Sequence, residues 1–480
     1  MISEFVREQK RYTQEDLCKL LRCSGQEVLP FIRKLKEFGV LKAVKASEVQ
    51  RDMTDLMEED IEIVPVEIDE NEYYYVFTFV GVIVFAGRVL KCFPKYLLNS
   101  NKPKKEIQQV IKALEKFNTK KQIVKILNEN NEEKTFNLLA VLLYLLQDYY
   151  DNGIYSNIED IIETNGEGEI LWDKTINETF MMFSGERPYY VELQTKKRIK
   201  DEYDFFKRLH ECVLTRASNE LKEADLLDIF EITEVDLSEE RLSDFGDKDY
   251  ILYRIEKELG TQFNTRKQLV LKTLYAYIAH SGSLYDSESF SLFGTSCFNL
   301  VWEGICAEIF DNQLEKTLGS LMLAVPLKSG YNKKQRLIDL IEKPYWSETK
   351  RYATGTLIPD IVTISQTEKG TYFVILDAKY YNTRLKAGSP PEQQPGIESI
   401  TKQYLYQLAY KKFIEDHGFQ SVENYFLLPS EKTSVVDGGE VELKMLADLG
   451  LRNIKVRFLP ADMVYDYYLK GKRMSIDDLF

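Results

Sequence analysis

Two carboxylates and a lysine stand close together in TLIPDIVTISQTEKGTYFVILDAKYY, residues 356–381. Asp360 follows Pro359 near the start of one predicted strand and Asp377 ends the next, so a hairpin would bring the two acids together. Lys379 lies two residues beyond Asp377, and the period of two along a strand puts both side chains on one face. Ala378 points away between them and leaves its backbone carbonyl available to a metal. The chemistry that suits this set is phosphodiester hydrolysis, which needs a metal to neutralise developing charge and a water made nucleophilic. Mg²⁺ prefers oxygen ligands and keeps several waters, and Mn²⁺ is a possible substitute. Lys379 would orient or deprotonate the attacking water and stabilise the phosphorane.

Pro-Asp followed at a distance by Asp-x-Lys also arises by chance, with Asp at a turn and Lys on a surface strand. Three neighbouring features argue for the site. The run Tyr372 to Leu376 is wholly apolar, so it predicts a buried central strand that delivers Asp377 and Lys379 abruptly to an edge. A helix over Ser399–Glu415 carries Gln403, Tyr406, Gln407 and Tyr410 on or near one face. Upstream, a helix over Phe298–Phe310 embeds Glu303 among Val301, Trp302, Ile305 and Ile309, and an acid in so apolar a setting needs a partner such as a metal. Glu308 is the competing acid, roughly 140° around that helix from Glu303.

The elements that must position these residues belong to a chain of 480 residues, too long for one hydrophobic core. Apolar content of 44% and aromatic content of 12% are ordinary for a globular protein. No stretch reads as a signal peptide or a membrane span, so a soluble, cytoplasmic protein is expected. Six cysteines show no CxxC pair, and three histidines are too few for a His-rich zinc site. No GxxxxGK[ST] occurs, and Gly166 and Gly168 of NGEGEILWDKTI lack the rest of a dinucleotide fingerprint, so the chain is not expected to hydrolyse a nucleotide itself.

The net charge of −14 opposes a nucleic-acid partner only as a sum. The segments 46–72 and 201–250 carry −10 each, leaving the remainder net positive. The most basic stretch, Arg88 to Lys125, has eleven Lys or Arg against Glu106 and Glu115. Within it Ile107, Val110, Ile111 and Leu114 recur at helical spacing, with Lys104, Lys105, Lys112 and Lys116 on other faces as candidate phosphate contacts. Near the N-terminus, Thr13 with Asp16 and Ser24 with Glu27 read as helix starts before two apolar helices, and Gly39 stops the second. Val40, Leu41 and Val44 would begin the wing of a winged helix, with Arg33, Lys34 and Lys36 on the exposed face of its second helix, for DNA contact or for docking a protein.

These readings give a multidomain α+β protein: a winged-helix-like module over 1–45, an acidic linker over 46–72, a β-rich region with a basic helix over 73–130, a mainly helical middle region over 131–285, and a C-terminal α/β layer over 286–480. The C-terminal motifs follow the PD-(D/E)xK nuclease pattern, with PD at 359–360, DAK at 377–379 and an upstream glutamate. From about Tyr73 onward the text resembles the LlaJI family of restriction endonucleases, related to McrC. The blocks that carry this are VFTFVGVIVF with FPKY near residue 95, NGEGEILWDKTI, PYYVELQT, VWE at 301–303, KPYW at 343–346 and KQYLYQLAY at 402–410.

The resemblance implies a Mg²⁺-dependent DNA endonuclease subunit of a restriction system, working with an McrB-like AAA+ GTPase and cutting double-stranded DNA, with a homo-oligomer on DNA possible. By position it implies Glu303, Asp360 and Asp377 as metal ligands, Lys379 as the catalytic lysine, and Gln403, with Gln407 as alternative, as the helix glutamine. A non-catalytic DNA or protein adaptor with a degenerate nuclease fold, and an RNA or repair nuclease, are the competing readings.

Overall fold

The computed structural model describes residues 1–45, 73–118, 137–156, 158–200, 204–280, 283–286, 289–367, 370–386 and 388–480. The acidic linker and the end of the basic stretch lie outside them. By compactness the chain divides into two units, a coarser partition than the five segments: Met1, Val84–Arg88 and Asn131–Leu292 form one, and Ile2–Ile83, Val89–Asn130 and Phe293–Phe480 the other. Both mix helices and strands, so the protein is a multidomain α/β chain.

The second unit holds the candidate site. It opens with β1 (Ile2–Arg7), β2 (Arg11–Tyr12), α1 (Gln14–Leu21), α2 (Val28–Glu37) and β3 (Leu41–Lys45). Thr13 caps α1 in a full capping box with Asp16, and Glu27 accepts from the Ser24 amide just before α2. Gly39, at a φ of 68°, turns the chain out of α2. After the linker, β4 (Tyr73–Phe77) pairs with both β2 and β3, while β5 (Val80–Phe85) and β6 (Arg88–Phe93) join β1 in a second sheet. Gly81 lies inside β5, where a Cβ would stand 2.0 Å from the Phe293 carbonyl oxygen, so only glycine lets the neighbouring strand β7 (Phe290–Thr295) approach.

The C-terminal part is a five-stranded mixed sheet of β8 (Ile361–Thr367), β9 (Gly370–Ala378), β10 (Ser421–Ser430), β11 (Val436–Val441) and β12 (Ile454–Pro460), in the order β8-β9-β10-β12-β11. The β8–β9 hairpin is antiparallel, and β9–β10 and β10–β12 are parallel. Phe373 and Ile375 of β9 pack with Tyr406, Tyr410 and Phe413 of α5 (Ile397–Asp416) in one core. The opposite face of β9, with Val374, Leu376 and Ala378, is buried too. There α4 (Phe298–Ile309) packs on β9, α6 (Ala461–Leu469) on β12, and α3 (Lys104–Asn118) on both helices. Burial of both faces explains the unbroken apolar run in β9.

The first unit contains the Leu-rich helix Leu138–Asn152 and the helices Phe205–Glu223, Lys248–Thr261 and Thr265–His280. Its buried Asp148 is held by Arg266 through both Nε and Nη2, the latter at 2.7 Å. The expectation of a mainly helical middle region over 131–285 needs correction over 158–200. Strands Ile158–Thr164, Glu169–Ile170 and Gln194–Lys200 form one small sheet, and Met181–Ser184 and Arg187–Tyr190 a second. Glu169–Ile170 is only two residues long and Met181–Ser184 is exposed along its whole length, so the core-facing alternation that marks a strand is weak there.

Candidate active site

The β8–β9 register makes the hairpin deliver its acids to one place. Ile361 lies opposite Leu376, so the next step of the ladder sets Asp360 opposite Asp377, on the face that α5 covers. Asp360 Oδ2 accepts a hydrogen bond from the Ala378 amide at 3.2 Å, which locks the carboxylate against the end of β9. Asp377 is buried, with Lys379 Nζ 2.9 Å from its Oδ1. The two form an ion pair at the end of β9. Lys379 is itself anchored, its amide donating to the Leu427 carbonyl at 3.0 Å.

The same carbonyl receives the indole N–H of Trp302 at 3.4 Å, so the residue before Glu303 is tied to the strand beside Lys379. Two further side chains hold the Pro359-Asp360 step. Tyr406 donates to the Ile358 carbonyl at 3.0 Å, and Asn312 Nδ2 donates to the Asp360 carbonyl at 3.0 Å.

The electrostatics are those of crowded, buried acids. Burial, then the hydrogen bond and charge of Asp360, push the Asp377 carboxyl well above the usual range, against the pull of Lys379. Burial and the Asp360 charge push Glu303 up to about 7, with Lys379 opposing. Burial depresses Lys379, but the charges of Asp377, Asp360 and Glu303 outweigh it and raise its pKa. Tyr406 is pushed up to about 12 by burial and then by Asp377 and Asp360. Its hydroxyl, bonded to the carbonyl two residues before Asp360, puts this α5 side chain beside the acids, a place that sequence reasoning did not assign to it. The available signal was its place three residues after Gln403 on one helical face.

The two glutamines of α5 face elsewhere. Gln403 Nε2 donates to the Tyr425 carbonyl at 3.2 Å, tying α5 to β10, while its buried Oε1 has no hydrogen-bond partner among the described residues. Gln407 exchanges hydrogen bonds with the Arg452 backbone. Among the candidate phosphate contacts, Arg33, Lys36, Lys104 and Lys105 are exposed, and Lys34 and Lys112 are half-buried. Lys116 is used internally. Its Nζ lies 3.3 Å from Glu308 and bonds to the Tyr468 carbonyl, above the Tyr468 ring.

The donor set suits a hard cation bound through few carboxylates. Among the described residues no three His, Cys, Asp or Glu side chains surround one point, so Glu303 does not close a cage with Asp360 and Asp377. Mg²⁺ does not require one, since it is commonly held by one or two carboxylates with waters and substrate phosphate completing its shell. Asp377, buried beside Asp360 and only partly offset by Lys379, is in an environment where a cation would relieve both the desolvation and the mutual repulsion of the acids.

The family model described as LlaJI restriction endonuclease matches residues 79–323 and 327–462. The chain belongs to the LlaJI restriction endonuclease family. The match begins before β5 and runs into α6, so it takes in the whole candidate site and much of the first unit. A Bacillus subtilis (strain 168) protein, the type II restriction enzyme BsuMI component YdjA, is 29% identical over 418 residues, covering 84% of this chain and 83% of its own length. Among solved structures, a half-complex of Thermococcus gammatolerans McrB AAA+ hexamers with bound McrC is similar at 12% identity. It covers 98% of this chain and 99% of that one, with a TM-score of 0.38. The T. gammatolerans McrBC complex matches over 63% of this chain and 84% of that one, at 14% identity and a TM-score of 0.24. Among the described residues no helix is long and apolar enough to cross a membrane.

Proposed function

We propose that this LlaJI-family chain is the Mg²⁺-dependent, DNA-cutting subunit of a restriction system, with a PD-(D/E)xK nuclease domain at its C-terminus and a winged-helix-like module at its N-terminus. The observation that carries the reading is Asp377. It is a buried acid placed opposite Asp360 by strand register, with the Lys379 ammonium 2.9 Å from its Oδ1. A divalent metal, when bound, supplies charge neutralisation and a more acidic water. Asp360 and Asp377 would hold it, with the Ala378 carbonyl as a further oxygen donor and Glu303 at the margin. Lys379 brings its ammonium to the same spot, where it orients the attacking water and counters the charge gathering on the phosphorane.

The subunit character rests on the sequence. It has no nucleotide-phosphate loop motif and is acidic overall, which supports leaving DNA selection and any NTP-driven step to a partner, by the resemblance an McrB-like AAA+ GTPase. A double-strand cut by single-site nucleases needs two active sites, which makes a homo-oligomer on DNA part of the proposal.

The test uses the chain co-purified with the product of a neighbouring AAA+ gene. Supercoiled plasmid, linear duplex and RNA are each incubated with Mg²⁺, with and without GTP, and with a chelator. Duplex cleavage that needs both Mg²⁺ and GTP is expected. Cleavage of RNA alone would favour the ribonuclease alternative, and DNA binding without any cleavage the adaptor.

A further inference from the structure

The strand that ends at Asp360's partner is well buried, but β8, which follows Asp360, is the edge of the five-stranded sheet. An edge strand leaves a row of backbone N–H and C=O groups without a ladder. Here two residues stand in for the missing strand. Gln313 donates its amide to the Val362 carbonyl at 2.8 Å, and its side chain accepts from the Ile364 amide and donates to the Ile364 carbonyl, each at 3.4 Å. Asn312 takes the remaining groups: its Oδ1 accepts from the Val362 amide at 3.2 Å and its Nδ2 donates to the Asp360 carbonyl at 3.0 Å. Gln313 serves the body of the strand, whereas Asn312 serves the residue that carries the acid.

Asn312 also comes directly off the helix that bears Glu303. That helix, α4, ends at Ile309, and Asp311 turns the chain at a φ of 52°. Asp311 is pinned by Lys316 at 2.9 Å and Arg473 at 2.8 Å, and Asn312 Oδ1 accepts from the Leu314 amide at 3.2 Å to close the turn. The path from Glu303 to the Asp360 backbone therefore runs through one helix end, one pinned turn and one side-chain bond. Since the following residue of the ladder sets Asp360 opposite Asp377, a slip of its backbone would part the two acids.

We propose that Asn312 is a positioning residue for Asp360, holding its backbone so that the carboxylate meets Asp377 and stays in fixed relation to Glu303. The proposal rests on the metal-nuclease reading of the site and adds a residue to it.

The experiment is calorimetric titration of the purified full-length chain with Mn²⁺, alongside thermal melting without metal. Asn312→Ser keeps a short acceptor for the Leu314 amide but does not reach Asp360, and Asn312→Ala serves as a second variant. Gln313→Ala removes the side-chain bonds to Ile364, Thr363 and Asp311, keeps the backbone bond to Val362 and leaves the Asp360 carbonyl bond in place, so it reports the effect of loosening the same edge. Loss of an outer-shell partner of a ligand typically weakens metal binding by about 10–100-fold. The Asn312 variants are expected to bind Mn²⁺ at least about tenfold more weakly than wild type. Gln313→Ala should lower the melting temperature comparably but shift Mn²⁺ affinity less than about twofold. Wild-type Mn²⁺ affinity in folded Asn312→Ser, with binding lost in Asp360→Ala, would overturn the proposal while leaving the metal site standing. Equal weakening in Gln313→Ala would overturn it too, as an effect of edge stability alone. Failure of the wild-type chain to bind Mn²⁺ at all would instead remove the metal-nuclease reading, and this inference with it.

Discussion

Asp377→Asn is expected to abolish DNA cleavage, by about 10³-fold or more, while leaving the metal-free protein at least as stable as wild type. The two effects share a cause. Asp377 is buried opposite Asp360, and the Lys379 ammonium 2.9 Å from its Oδ1 offsets only part of the cost of ionising it. Its folded-state pKa lies above its unfolded value. Such a group gives up stability as pH rises through the folded value, because ionisation is easier in the unfolded chain. Asparagine removes that loss. The melting difference, variant minus wild type, should therefore widen as pH is raised in the absence of metal, and Mn²⁺ should stabilise wild type but not the variant. Melting curves from acid to neutral pH, with and without Mn²⁺, check this. A constant difference across pH, or equal stabilisation of the variant by metal, would contradict it.

Glu8→Ala carries the largest expected loss of stability, about 3–5 kcal/mol, because it strands buried polar groups. Glu8 at the end of β1 is buried and accepts hydrogen bonds from the Tyr380 hydroxyl and from the Lys95 amide at 3.2 Å. Lys95 Nζ bonds to Gln9 Oε1 at 3.1 Å and lies 4.6 Å from the Tyr380 ring centre. Tyr380 follows the proposed catalytic lysine directly and also packs on Phe298 and Tyr96. The N-terminal strand, the FPKY block and the end of β9 are thus fastened at one polar point. Glu8→Gln retains an acceptor for the same donors and should lose much less. Denaturant unfolding of the two variants, compared at equal slope, checks the difference, and equal losses would show that the hydrogen bonds at Glu8 are not what holds the point together.

The parts of the site that rest on local pattern were legible. Asp360, Asp377 and Lys379 follow from strand period and from pairing the two predicted strands as a hairpin, and the apolar run 372–376 announces a buried central strand. Glu303 stood out as an acid in an apolar helix. Long-range side-chain contacts were not legible. Nothing in the sequence near Glu8 points to Tyr380, 372 residues away, and Asn312 reads as an ordinary loop residue until β8 is seen to be an edge. The helical wheel of α5 groups Gln403, Tyr406 and Gln407 but does not say which neighbour each meets. The structure gives the glutamines to β10 and to Arg452, and Tyr406 to the acids. Lys116 shows the same limit in the basic stretch, where charge counting cannot separate a solvated lysine from one bonded to Glu308 and Tyr468.

The central claim, that the end of the β8–β9 hairpin is where the phosphodiester is cut, is tested most directly with Lys379→Ala. Wild type and variant, each co-purified with the proposed AAA+ partner and shown by calorimetry to bind Mn²⁺, are incubated with supercoiled plasmid, Mg²⁺ and GTP. The wild-type complex should convert the plasmid to linear product while the variant leaves it supercoiled. Cleavage by the variant at the wild-type rate would contradict the account.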